Sequence, residues 1–159
     1  SPRGASSYGL HLAKVKVDTQ TGRVKVLEFA AVQDVGRVMN PTAIEGQLEG
    51  AVQMGLGYAL SEGLEFDPAG QPLNCSFKTY KMPTATEMPR LNCAFIEQGE
   101  PDGPFGGKSI GECSVVPVAP AIVNAVANAL DLEFYSLPLT PEKILAALEQ
   151  QSTNKLHGA

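Results

Sequence analysis

Hydrophobic and polar positions alternate along the first part of the chain. Residues 10–17 place Leu12, Lys14 and Lys16 on one side and Ala13, Val15 and Val17 on the other, which is typical of a half-buried strand. Residues 18–22, DTQTG, supply turn chemistry, and residues 23–32 resume an alternating, β-branched pattern. The two segments therefore predict a β-hairpin, which ends where residues 34–36, DVG, interrupt the second strand.

A helix is predicted next, with Asn40 as its N-cap and Pro41 at its first position. One apolar stripe recurs every fourth residue, at Ile44, Leu48, Val52, Leu56 and Leu60. A second face collects small residues and one amide, namely Ala43, Gly46, Gln47, Gly50, Met54 and Gly57. Because glycine in a helix costs up to about 1 kcal/mol relative to alanine, this face indicates a close approach to the backbone. Either a neighbouring helix or strand packs there, or a polar ligand contacts Gln47.

The remaining elements are shorter. Two short strands, 64–66 and 73–77, flank a DPAG turn, residues 81–90 predict a loop, and residues 91–96 predict another strand. An apolar helix is expected to start near Pro117 or Pro120 and to end near Leu130, and a last amphipathic helix starts at Thr140-Pro141-Glu142 with Ile144, Leu145 and Leu148 inward. The fold class is therefore α+β, a β-hairpin and mixed short strands packed with about three helices. We expect one domain over residues 1–150 and a disordered tail over 151–159.

Composition narrows the classes of function. The 159 residues are 43% hydrophobic and 18% charged, as in one globular domain, and the net charge of -5 predicts no binding to nucleic acid or to an anionic membrane. No apolar run is long enough to cross a bilayer. The scattered Cys75, Cys93 and Cys113 predict reduced thiols in a cytoplasmic protein. His11 and His157 lack partners at ligand spacing, so we expect an exposed strand residue, a tail residue and no protein-ligated metal.

Residues 106–114, GGKSIGECS, combine features of two kinds of site. Gly107-Lys108-Ser109 matches the end of a phosphate-binding loop, but the first glycine of that motif falls on Asp102, whose carboxylate would face the phosphates. Gly111 also disfavours the helix that must follow the lysine. Glu112 is either a residue near the start of a helix or a catalytic carboxylate, and taken alone the first role is the commoner one.

Four blocks of the sequence taken together are more specific than any single motif. They are DVGRVMNPTAIEGQLEGAVQMGLGYALSEG, FKTYKMPTATEMP, PFGGKSIGECSVVPVAPAIVNAVANAL and LPLTPEKIL. In order and spacing they resemble the C-terminal part of the molybdenum-binding subunit of the xanthine dehydrogenase/aldehyde oxidase family, from about Tyr8 to Leu148. The resemblance, together with a start that lacks methionine, implies that the chain is the final molybdopterin-binding domain of a longer catalytic subunit.

The resemblance also implies roles for individual positions. The family's catalytic glutamate falls on Glu112, and the glutamine of its G-Q-x-E-G motif, which contacts the molybdenum cofactor, falls on Gln47. The positions expected to contact the cofactor are Gln47, Gly46, Gly50, Lys108, Ser109 and Gly111. Most members have Pro-Pro after the glutamate, whereas this chain has Cys113-Ser114, a difference that bears on substrate preference.

The implied activity is that of a molybdenum hydroxylase, which adds water-derived oxygen to an N-heterocycle such as a purine, or to an aldehyde. Glu112 would remove a proton from the attacking hydroxyl group, and a molybdenum–molybdopterin cofactor, with or without an added nucleotide, would supply the redox chemistry. Electrons would leave through 2Fe-2S clusters and FAD on other domains or subunits, because the chain has no cluster-binding cysteine pattern. We expect the isolated chain to be inactive and free of molybdenum, since other molybdopterin-binding domains would complete the site.

Two other classes stay open. A non-catalytic binding or assembly module could share the fold, although the presence of Glu112 and Gln47 disfavours it. A nucleotide-binding protein could use residues 106–109, and binding of ATP by the chain would support that alternative.

Overall fold

A computed structural model describes the backbone of residues 5–157 and the side chains of residues 5–154. One sheet holds three strands in the order β1-β2-β3, which are β1 (Gly9–Val17), β2 (Val24–Asp34) and β3 (Arg90–Ile96). Three α-helices follow or interleave them, α1 (Pro41–Leu60), α2 (Val118–Leu130) and α3 (Pro141–His157). Single 3-10 turns cover Ala85–Glu87 and Pro104–Gly106. The predicted α+β fold is confirmed.

The N-terminal hairpin contains a bulge that changes which residues point inward. β1 and β2 pair antiparallel, and the register shifts between Lys14 and Val15, so Leu27 has no partner on β1. Before the bulge, Val24 and Val26 point toward the helices, and after it Phe29, Ala31 and Gln33 take the inward positions. A bulge adds one residue to one strand and so reverses the alternation beyond it. This is how a glutamine comes to lie in an otherwise apolar row.

The helices α1 and α2 cover one face of the sheet. β2 and β3 pair in parallel, so the chain crosses from one to the other through α1. The apolar stripe of α1 is confirmed, and with α2 and β2 it forms the main core of Val26, Phe29, Leu48, Val52, Leu56, Val118 and Ile122. Asn40 caps α1 as predicted, because its side chain accepts a hydrogen bond from the Ala43 amide at 3.1 Å.

The last helix covers the turn end of the hairpin. Val126, Leu139 and Ile144 form a second buried cluster with Val15, Val17, Val24 and Leu148 packed against it. The structure differs from the expected tail, since 151–157 continue α3. Gln151 Nε2 donates a hydrogen bond to Asp131 O at 3.0 Å. This contact fastens the helix to the end of α2, which is why it extends past residue 150.

Two expectations from the sequence are wrong. Residues 64–66 and 73–77 form no strands, only an isolated bridge between Phe66 and Pro72, because their apolar side chains are exposed and have no layer to pack on. His11 is not exposed; only 8% of it is accessible, and its ring meets the Phe29 ring edge-on at 5.4 Å. The alternation that points Ala13 and Val15 inward also points His11 inward. His157 lies outside the described side chains. Within residues 5–157, no helix combines the length and apolar character needed to cross a membrane.

Candidate functional site

The glycine-rich loop that precedes Glu112 lies against the end of β2. The Lys108 amide donates to Val35 O at 2.9 Å, and the Gly99 amide donates to Gly36 O at 2.7 Å. Gly36 has a φ of +65°, and a Cβ there would lie 2.5 Å from Gly106 O, so only glycine allows this approach. The segment Gly36–Met39 leads directly into α1. The residues that contact the loop, Val35 and Gly36, therefore lie only a few positions before the start of α1.

The side chain of Lys108 points into the protein. Its Nζ lies 2.6 Å from Asp34 Oδ2 and donates to Ser6 O at 2.9 Å, and it lies 5.9 Å from the centre of the Tyr8 ring. Both side chains of the ion pair are 10% exposed. The hydrogen bond from Lys108 lowers the pKa of Asp34, and the bond to Asp34 raises the pKa of Lys108. The Lys108 ammonium group, which the sequence predicted to contact a cofactor, therefore forms an ion pair with Asp34 instead.

Ser109 to Ser114 fold into a compact turn before α2. Cys113 Sγ donates to Ser109 O at 3.2 Å and Ser114 Oγ donates to Ile110 O at 2.5 Å. The backbone N–H groups of Ser109, Ile110 and Gly111 donate to no acceptor elsewhere in the described chain. Side chains of the turn thus donate to its own carbonyl groups, whereas three consecutive backbone N–H groups remain available to bind a ligand.

Glu112 is exposed and its side chain makes no hydrogen bond within the described residues. It lies outside α2, whose first residue is Val118 and whose N-cap is Pro117. The alternative in which Glu112 starts the helix is therefore not what the structure shows. The carboxylate is free to meet a group outside the chain.

The small-residue face of α1 is open in its N-terminal half. Gly46, Gln47 and Gly50 are exposed, and a Cβ added at either glycine would meet nothing within 4 Å. Gly57 differs, because a Cβ there would lie 2.9 Å from Pro83 Cδ. Internal packing therefore explains Gly57 but neither Gly46 nor Gly50. The Gln47 amide has no hydrogen-bond partner in the part of the chain that the structure describes.

Two buried polar residues near this site were missed in the sequence. Gln33 is fully buried and donates through Nε2 to Ser7 Oγ at 3.1 Å and to Cys113 Sγ at 3.4 Å. Asp34, interpreted from sequence only as a strand breaker, binds Lys108. The sequence did contain a signal for Gln33. It follows Phe29 and Ala31 at every second position of the strand, so the alternation places a polar residue among inward-facing ones.

Comparison with known proteins identifies the class. Residues 1–89 match the model of a family described as molybdopterin cofactor-binding domain. The 6-hydroxypseudooxynicotine dehydrogenase complex subunit gamma of Paenarthrobacter nicotinovorans is 37% identical over 142 residues, 87% of this chain and 18% of that protein. The putative xanthine dehydrogenase molybdenum-binding subunit XdhA of Escherichia coli K12 is 38% identical over 139 residues, with the same coverage, 87% and 18%. The crystal structure of quinoline 2-oxidoreductase from Pseudomonas putida 86 has a TM-score of 0.86 at 31% identity, over 91% of this chain and 19% of that one.

The chain belongs to the molybdopterin cofactor-binding domain family. Its relatives include molybdenum-binding subunits of xanthine dehydrogenases, so the resemblance inferred from the four sequence blocks is confirmed. The chain spans about one fifth of the length of the relatives described above.

The exposed groups of the chain are of the chemical kinds that a molybdopterin would contact. A pterin ring carries both donors and acceptors, and a neutral amide such as that of Gln47 can bond to either. Gly46 and Gly50 present backbone without side chains beside that amide, which allows a flat ring to approach closely. The free N–H groups of Ser109, Ile110 and Gly111 are donors of the kind that phosphate oxygens accept.

Proposed function

We propose that this chain supplies the general base, Glu112, and part of the cofactor-binding surface in the catalytic subunit of a molybdenum hydroxylase. The substrate is an N-heterocycle or an aldehyde, and the electrons leave through iron–sulfur and flavin groups on other domains or subunits. One observation carries the proposal. Glu112 is a solvent-exposed carboxylate without a hydrogen-bond partner among the described residues, at the end of a loop that is fixed on both sides.

Each group of the chain has a distinct task in this reaction. Gln47, with the bare backbone of Gly46 and Gly50, orients the pterin, and the N–H groups of Ser109, Ile110 and Gly111 hold its acceptor oxygens. Lys108 fixes the loop through its own ion pair, and so contributes to the cofactor surface by position rather than by charge. When bound, the molybdenum–pterin group supplies the two-electron oxidation.

Glu112 accepts the proton from the hydroxyl group that attacks the substrate. A carboxylate would suffice as the base, since a metal ion held beside it would lower the pKa of such a hydroxyl. Proton transfer by a positioned carboxylate accelerates such a step by about 10²–10⁴-fold.

The test is single-turnover reduction of the metal centre by substrate in the assembled, molybdenum-loaded enzyme. Glu112→Gln keeps size and shape but cannot accept the proton, so the rate constant should fall by about 10²–10⁴-fold at unchanged molybdenum content. Asp102→Asn is the matched control, because it removes the same charge from an exposed position near the loop. Near-normal reduction in Glu112→Gln would sink the proposal.

A second substitution separates position from charge. Glu112→Asp keeps the carboxylate but withdraws it by more than about 1 Å, and a misplacement of that order costs about 10²-fold. We therefore expect little recovery of the rate relative to Glu112→Gln. A full rate in Glu112→Asp would show that the carboxylate acts from a distance and not as a positioned base.

The two competing classes predict other results. A nucleotide-binding protein would need a helix directly after Lys108, whereas 107–110 have no regular structure and the next helix is α2. A non-catalytic module would retain cofactor binding and show the same slow reduction in the wild type and in Glu112→Gln. Measured turnover by the wild-type enzyme decides between that module and the hydroxylase.

A further inference from the structure

The end of β2 carries two adjacent buried polar residues whose side chains reach different parts of one loop. Gln33 is 0% exposed and Asp34 is 7% exposed. Successive side chains of a strand point to opposite faces. Gln33 reaches Cys113 and Asp34 reaches Lys108, so the two contacts fall on either side of residues 109–112.

The Asp34 contact fixes the first end of the loop. Asp34 Oδ2 accepts from Lys108 Nζ at 2.6 Å, and Oδ1 accepts from the Gly36 amide at 3.0 Å, so both carboxylate oxygens are engaged. The Lys108 backbone is held as well, because its amide donates to Val35 O. Lys108 is therefore held in place through both its backbone amide and its side chain.

The Gln33 contact fixes the second end. Gln33 Nε2 donates to Cys113 Sγ at 3.4 Å, and Cys113 Sγ in turn donates to Ser109 O. Ser7 joins both anchors, since its hydroxyl accepts from Gln33 Nε2 and donates to Asp34 O at 2.6 Å. Glu112 is the residue directly before the anchored Cys113.

Gln33 is also an unfavourable residue for this interior position. Its Oε1 is buried without a hydrogen-bond partner in the described residues. A buried polar atom left unpaired costs stability, and an apolar residue of similar shape does not have that cost. A residue that costs stability where it lies is expected to serve position or function instead.

We propose that Gln33 and Asp34 are positioning residues that clamp the two ends of the loop carrying Glu112 and so set where its carboxylate lies. This inference rests on the proposed role of Glu112 as the base. Both residues act through their partners, Cys113 and Lys108, and neither needs to touch substrate or cofactor. The clamp explains how an exposed glutamate without partners of its own can still have a defined position.

The main test uses Gln33→Leu in the assembled enzyme. Because the leucine removes a buried unpaired oxygen, the melting temperature should stay the same or rise, while the single-turnover rate constant falls by about 10–100-fold. Molybdenum content and KM should change less than the rate constant, because Gln47, Gly46 and Gly50 contact the cofactor from α1, outside the loosened loop. A residue with a purely structural role would lose stability and rate together.

Variants of the partner residue guard against a folding failure of Gln33→Leu. Cys113→Ala removes the same contact from a partly exposed position and should slow the reaction to a similar extent, and the double variant should be no slower than either single one. Cys113→Ser keeps a group that can accept from Gln33 and should restore most of the rate. Cys75→Ser, at an exposed cysteine outside the loop, should leave it unchanged.

Hydrogen exchange gives a reading that does not depend on turnover. The Val115 amide donates to Glu112 O at 3.2 Å, so its protection reports the turn directly. In Gln33→Leu its exchange should accelerate by more than about twofold, with exchange in α3 unchanged. Unchanged protection together with an unchanged rate overturns the clamp.

The outcomes also separate the clamp from the proposed function. A normal rate in Glu112→Gln would reject the base, whatever the Gln33 variants do, and the exchange measurement would still decide whether the clamp exists. A slow Glu112→Gln with a fast, stable Gln33→Leu would reject the clamp and keep the base. A drop in both stability and rate in Gln33→Leu and in Cys113→Ala would reduce Gln33 to a structural residue and overturn the proposal.

Discussion

Glycine occurs in both halves of α1, but its surroundings differ between them. In the C-terminal half, a Cβ at Gly55 would lie 2.5 Å from Val118 Cγ1, so glycine there lets α1 and α2 approach each other. In the N-terminal half, Gly46 and Gly50 face open space. The same residue type thus serves internal packing at one end of a helix and an external surface at the other. A glycine pattern in a sequence does not distinguish these two uses, and only the neighbours do.

The largest effect is expected from adding a methyl group in the C-terminal half of α1, where the glycines are packed. Gly55→Ala should lower the free energy of unfolding by about 3 kcal/mol, because the added methyl group overlaps Val118 and the two helices must separate. Urea denaturation measures the change. An unchanged midpoint would mean that the contact between α1 and α2 adjusts without cost, and the distinction between the two halves would fail.

Acid weakens the packed interior without any mutation. Burial lowers the pKa of His11 to about 4 from its ordinary value of 6.5. Between these values the unfolded chain binds more protons at His11 than the folded one, so the contribution of His11 to stability should fall as the pH drops from 6.5 toward 4 and level off below that. The loss should be about 2–3 kcal/mol.

Urea denaturation of His11→Phe over the same pH range provides the control. This variant should show a nearly flat stability between pH 6.5 and 4. The carboxylates whose pKa values are lowered, Asp34 and Glu87, start from ordinary values of 3.8 and 4.5, so they lose most of their stabilising contribution below this range. A pH dependence that survives in His11→Phe would assign the effect to other groups.

On the open half, Gln47→Ala should affect the cofactor and not the fold. Removing an amide that pairs with a bound group weakens binding by about 1–3 kcal/mol, so the assembled enzyme should retain less molybdenum. The rate per bound molybdenum should change less than the content does. Metal analysis after gel filtration provides the measurement, and wild-type content would return this face of α1 to a purely structural role.

The smallest effect is expected for Gly50→Ala, which should raise the stability of the chain and lower its retention of molybdenum. Gly50→Ala adds a better helix former at an open position, so the stability of the chain should rise by up to about 1 kcal/mol. The same methyl group lies where the cofactor is proposed to approach, so retention of molybdenum should fall. Gain of stability with full retention would show that the open face meets nothing.

Local signals predicted the local elements well. Asn40, Pro41 and an apolar stripe that recurs every fourth residue define α1 from nearby residues alone, and the structure agrees at the predicted start of the helix. Residues 64–66 and 73–77 also had a strand pattern, yet they form only an isolated bridge within the described residues, because their exposed apolar side chains have no buried layer to pack on. A strand needs a partner, and a single-sequence pattern does not provide one.

The contacts that shape the candidate site join distant residues. Gln33 and Cys113 are 80 positions apart, and Asp34 and Lys108 are 74 apart. Local periodicity carries no information about such pairs. The bulge at Leu27, which turns Gln33 inward, was likewise invisible, because it depends on the register with β1. Local pattern alone made Glu112 and Gln47 candidates, the family resemblance gave them their specific roles, and those roles stay predictions.

The contact between the hairpin turn and the first residue of α3 has a consequence for synthesis on the ribosome. Gly22 lies against the Pro141 carbonyl, where no side chain would fit, and the cluster around Ile144 closes the same end. The hairpin leaves the exit tunnel more than a hundred residues before this support does. During that interval Val15, Val17 and Val24 lack the cover of α3, and such long-range closure is slow. Uncovered apolar surface of this kind makes a nascent chain prone to aggregation until its last helix has emerged.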